Sequence, residues 1–182
     1  MTTIRTLFDE EIYKLNSHSF IQELQGGDIS NVKYGTFLYN LHPQYNFLEN
    51  VSANHDCLSC RIGPGIWADM KEVLAENTTM PQQIDAPLKT LREFSINRDA
   101  PPNIIAYCYV YHKVVFTLAQ TFIVPGSNTA FTFTEQEIEF QLENLESFAN
   151  HPLGIWDDNS LLKPVANGIN LIKQTFDQMA EL

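Results

Sequence analysis

The chain has 182 residues, 44% hydrophobic and 18% charged, which suits one packed domain spanning 1–182 and lies outside the compositions of disordered, collagenous or coiled-coil chains. A formal net charge of −11, with 11 Lys and Arg residues that form no basic stripe, opposes binding to nucleic acid or anionic membranes. The opening MTTIRTLFDEE lacks a basic and apolar leader pattern, and no apolar run reaches roughly 18 residues, so a cytoplasmic location without membrane attachment is expected.

In chain order, residues 4–25 form a first helical stretch, closed by Gly26-Gly27, a pair able to supply a left-handed cap. Residues 31–53 form a second, in which Pro43 lacks an N–H, frees the carbonyl of Tyr39 and should bend the helix. Cys57 and Cys60 form a C-x-x-C with no second pair and with His55 too close to complete a zinc site; together with Cys108 they read as reduced structural thiols. A shorter run covers Ile66 to Glu76. Asp85 followed by Pro87 reads as a cap and first turn of a helix reaching about Asn97, and DAPPN at 99–103 ends it and begins the next.

The segment 103–124, NIIAYCYVYHKVVFTLAQTFIV, is apolar nearly all round. Its β-branched and aromatic residues favour a strand, but about 21 residues without Gly or Pro are too many for one, so a central helix buried on every side is expected. PGSNTAFTF at 125–133 reads as a loop, and Thr134 with Glu137 as a capping box opening a helix over 135–149. In 160–182, Leu161, Val165, Ile169, Ile172, Phe176 and Met179 recur at steps of three and four on one helical face, with Asp158, Asn159 or Ser160 as cap. The expected fold is all-α, a bundle of six or seven helices.

Several pieces resemble the heme-oxygenase-like superfamily in order and spacing. SHSFIQELQGGDISNVKYGTFLYNLHPQYNFLEN is similar to its first helical hairpin, IGPGIWADM to its short segment around a tryptophan, AYCYVYHKVVFTLAQ to its distal helix with Tyr109 and Gln120, and LIKQTFDQMAEL to its last helix. The resemblance covers most of the chain and implies a heme-oxygenase-like multi-helix bundle. TenA-like thiaminases and non-heme di-iron oxygenases belong to the same superfamily and carry a His-x-Phe such as His18-Ser19-Phe20.

Carried over residue by residue, the resemblance places the iron-ligating histidine of heme oxygenases at Ile12; a one-residue slip gives Tyr13, and His18 lies on another face. The glycines and aspartate of the distal helix fall on Val114, Val115, Leu118 and Ala119, whose branched side chains would occupy the porphyrin volume. Arg5 and Tyr109 stand where basic residues hold heme propionates, but the helix EQEIEFQLENLESF is acidic, which disfavours a dianionic heme edge. Tyr45 matches the distal hydrogen-bond network and is the candidate catalytic residue. The implied pocket is Arg5, Ile12, Tyr13, Tyr45, Tyr109, Tyr111, Val115 and Leu118, with Tyr13 and His18 as axial candidates and heme as the candidate cofactor.

Other chemistry has weaker support. Glu49 and His55 stand about 120° apart on a helix, and no E-x-x-H or H-x-x-x-H occurs among the five histidines His18, His42, His55, His112 and His151, against a di-iron centre. A thiaminase would need Cys108 as nucleophile, where a small buried hydrophobe is the ordinary reading. Tyr39, Tyr45, Tyr107, Tyr109, Tyr111 and His112 would suit a flat aromatic ligand or a core of stacked rings. Glu135, Glu137, Glu139, Glu143 and Glu146 suit a partner-binding face or a solvated one.

Two principal functions follow. In one, a heme oxygenase relative holds a tetrapyrrole or other flat ligand between its first and central helices. In the other, a pseudoenzyme has Val114, Val115 and Leu118 packed against Ile12 and Leu15 and acts through a protein partner. The residues favour lost heme degradation, and a TenA-like small-molecule enzyme is the further alternative.

Overall fold

In the computed structural model, which describes residues 4–52, 61–84, 86–96, 100–150 and 158–182, the first expected helix is two: α1 (Ile4–Asn16) and α2 (Ser19–Gly26). Ser17 and His18 make the break. The Ser17 hydroxyl donates to the Lys14 carbonyl, and His18, extended at φ −66° and ψ 135°, turns Nδ1 to accept the amide of Phe20. Such side-chain bonds compete with the helical ladder and restart it in a new direction. Gly27 closes α2 at φ 77°, the left-handed cap expected of the glycine pair.

Helix α3 (Asn31–Ser52) carries Pro43 inside one continuous element. Helix α4 (Gly63–Val73) lies close against it, because Gly35 has no side chain where a Cβ would overlap Leu74. Helix α5 (Ala86–Ile96) has Pro87 in its first turn.

The central helix is shorter than expected. Helix α6 (Ala100–Thr117) ends in a 3-10 turn, Ala119–Thr121, and Phe122 is extended. Side chains take over the last carbonyls: Thr117 donates to Lys113 O, Thr121 to Leu118 O, and Gln120 Nε2 to Val115 O. Gln120 therefore lies beyond the α-helix, and the Ile123 amide leaves to bond the Leu24 carbonyl.

Helix α7 (Glu135–Asn150) opens on the expected capping box: Glu137 N–H donates to Thr134 Oγ1 at 3.2 Å and Thr134 N–H to Glu137 Oε2 at 2.8 Å. Helix α8 (Asp158–Ala180) buries all six apolar residues of its expected stripe. Gly168 lets it lie tight on α6, since a Cβ there would overlap Tyr107. Around α6 stand α3, α5, α7 and α8, while α1 and α2 pack on α8. Among the described residues there are eight α-helices and no strand, and no helix is long and apolar enough to cross a membrane.

The 125–133 segment is a loop held by side chains. Asp69, buried on α4, accepts the amides of Thr129 at 2.9 Å and Ala130 at 2.8 Å, and Glu72 accepts that of Ser127. Gly65 admits the loop backbone, for a Cβ there would stand 2.9 Å from the Ala130 Cα. Cys57, Cys60, His55, Asp85, 97–99 and His151 lie outside the described residues.

Candidate functional site

The residues expected to line one pocket are distributed between the core, a groove and the surface. Tyr13 does not line a pocket, being 82% exposed on α1. Ile12 is half-buried against the core, and Val115 and Leu118 lie within it. Tyr45 and Tyr111 are fully enclosed, and protein groups satisfy their hydroxyls: Tyr45 donates to the Tyr111 carbonyl at 2.6 Å and Tyr111 to Gln44 Oε1 at 2.7 Å. Gln44 passes the chain to Thr175 of α8 at 3.1 Å, so the network ties α3, α6 and α8 together. Burial, reinforced by nearby Tyr107, pushes the Tyr111 hydroxyl well above its ordinary range, which keeps it a neutral donor and opposes a metal-binding phenolate.

His18 is also occupied. Nδ1 accepts the Phe20 amide and Nε2 lies 2.9 Å from Asp177 Oδ1, so both ring nitrogens have partners within the fold. Among the described residues no three His, Cys, Asp or Glu side chains gather closely enough to hold a metal ion.

A groove of about 610 Å³ opens between α1, α6 and α7. Of the expected pocket residues, only Arg5 is on its wall. Lys113 joins it from α6: its ammonium donates to Tyr109 Oη at 2.8 Å and lies 4.6 Å from the centre of the Phe8 ring, a cation held over aromatic faces. The facing wall is α7, with Ile138 and Leu142 between Glu135, Glu139 and Glu143. Sequence reasoning missed Lys113, and its charge inside an otherwise apolar run is the signal that could have found it.

A buried carboxylate and imidazole form the other notable cluster. Glu49 on α3 faces His112 on α6, with Oε1 3.5 Å from Nε2 and both side chains sealed from solvent. Burial alone would push the Glu49 carboxyl up; His112 and the amides of Ile62 and Gly63, which donate to it, outweigh that and hold it below its ordinary value. His112 Nδ1 lies 3.0 Å from the Cys108 carbonyl, while Nε2, 3.5 Å from the carboxylate, makes no close hydrogen bond. Such a pair is general-base chemistry by type, but no substrate reaches it; it serves as the N-terminal cap of α4 supplied from α3. Cys108 is buried, its thiol directed at the Leu48 carbonyl. Comparison of the chain with protein-family models, with curated proteins and with solved structures finds nothing that matches.

Proposed function

We propose that the chain is a heme-oxygenase-like helical protein that does not cleave heme and acts instead through protein contacts. The observation that carries this reading is the packing of the segment over which a porphyrin would lie. Val114, Val115, Leu118 and Ala119 are buried in the same core as Leu15, and Ile12 packs against it. The hydroxyl of Tyr45, the residue that matches the distal hydrogen-bond network, is spent on the Tyr111 carbonyl.

The groove between α1, α6 and α7 is the surface best suited to the contact. Its apolar strip of Ile138 and Leu142, edged by three glutamates, complements an amphipathic segment with a basic flank. Hemin titration of the purified chain, followed by visible absorption, is expected to give no saturable one-to-one Soret band, and reductant with oxygen no biliverdin. A one-to-one band abolished by Tyr13→Phe or His18→Ala would overturn the reading.

A further inference from the structure

The groove between α1, α6 and α7 carries the marks of a particular kind of occupant. Along its α7 wall stand Glu135, Glu139 and Glu143, every fourth residue, so their carboxylates lie one turn apart, roughly 6 Å along the helix axis. Glu135 falls in the first turn, where the helix dipole favours an acid. Glu139 and Glu143 lie beyond that turn, and like charges at this spacing oppose the helix that bears them. α7 has no Lys or Arg to offset them, and both carboxylates are exposed and without a hydrogen bond or ion pair among the described residues.

The rest of the lining is apolar or already satisfied. Ile138 and Leu142 lie between the glutamates, the Thr117 hydroxyl donates to Lys113 O at 2.7 Å, and the Lys113 ammonium donates to Tyr109 Oη at 2.8 Å. No strand among the described residues offers an edge. An extended peptide laid here would leave its backbone N–H and C=O groups short of partners. A helix satisfies its own backbone and needs only its apolar side chains to enter.

A second copy of this chain does not supply that helix. None of the described helices carries more than two Lys or Arg, and the net charge of −11 sets two copies against each other. The charge of the groove calls for a different protein.

Resting on the reading of this chain as one that acts through protein contacts, we propose that the groove receives a single amphipathic helix of a basic partner. Residues i, i+3 or i+4, and i+7 of that helix enter against Ile138 and Leu142, and Lys or Arg one turn apart on its flank towards α7 meet Glu139 and Glu143. Arg5, exposed on the opposite rim, restricts the basic residues to that one flank.

The test uses the full chain and a fluorescein-labelled, end-capped peptide of roughly 18 residues, long enough to hold a helix, with Leu at every third or fourth position and Lys along one flank. Anisotropy titration is expected to give saturable one-to-one binding with Kd below about 100 µM, weakening as salt is added. The same composition in scrambled order, or the same peptide with Pro at its centre, should bind at least about tenfold more weakly. Glu139→Lys with Glu143→Lys should also raise Kd at least about tenfold. Glu76→Lys with Glu181→Lys, the same change of net charge outside the groove, should leave it within about twofold. All four positions are exposed, so circular dichroism should match the parent chain. No saturable binding up to roughly 1 mM, equal affinity for the scrambled or proline peptide, or equal losses in the two double variants overturns the helix site. A dimer in sedimentation velocity that Glu139→Lys with Glu143→Lys dissociates would give the groove to a second copy and overturn it too. None of these outcomes alters the hemin result, whereas a one-to-one Soret band overturns the underlying reading whatever the peptide does.

Discussion

Glu49→Ala should lower the unfolding free energy by about 3–5 kcal/mol, among the largest effects of any single substitution in this chain. The substitution strips acceptors from the Ile62 and Gly63 amides at the start of α4 and removes the carboxylate that lies 3.5 Å from both His112 Nε2 and Arg61 Nε. Each orphaned buried donor costs about 1–3 kcal/mol. With a urea slope of roughly 2 kcal/mol/M, the midpoint should fall by about 1.5–2.5 M. Glu49→Gln keeps one acceptor oxygen and should lose less.

The same carboxylate gives stability a pH dependence with a definite sign. The folded value lies below 4.5, the ordinary value it regains on unfolding, so its contribution is complete above pH 4.5 and is lost as pH falls through the folded value. Urea midpoints measured from pH 7 down to pH 3 should therefore fall less steeply in Glu49→Gln than in the parent chain. Equal slopes would mean that the carboxyl is not held low.

Phe176→Ala is the second large effect, about 3–5 kcal/mol. Phe176 is buried on α8 with ring centroids 6.2 Å from Phe20 of α2 and 6.1 Å from Phe37 of α3, and Phe20 and Phe37 are themselves 5.1 Å apart edge-on. One ring thus joins three helices, and its removal leaves a cavity that none of them can close without disturbing the other two. Phe140, 57% exposed on α7, is the control: Phe140→Ala should change stability by no more than about 0.5 kcal/mol. Comparable losses at the two positions would show that the three-ring cluster is not the core described.

The sequence made most of the fold legible, because its signals were local. The stripe from Leu161 to Met179 is the buried face of α8, Thr134 and Glu137 cap α7 reciprocally, and Gly27 takes the left-handed turn. Where side chains bond their own backbone, periodicity misleads. The apolar pattern runs through Ser17 and His18 although their side-chain bonds break the helix, and through Gln120 and Thr121 although theirs end it. The clusters were less legible still. Glu49 finds its imidazole in His112, which is 63 positions away along the chain, and Tyr111 finds Gln44 at a separation of 67. No spacing rule reaches across helices. Lys113 is a charge within an apolar run that the sequence reading passed over, and only the packed structure sets it over Phe8 and beside Tyr109.

Asp69 has a consequence for how the chain meets a protease. Nine residues without regular structure, 125–133, would ordinarily be the first place to be nicked, since cleavage requires an extended stretch to be drawn into the protease. Here the amides of Thr129 and Ala130 are fastened to a helix some sixty positions earlier, and Gly65 presses that helix against the loop backbone. Limited digestion of the native chain should spare this segment. In Asp69→Ala it should be cut early, yielding two fragments that meet near residue 128, so a single carboxylate decides whether the surface there is durable or perishable.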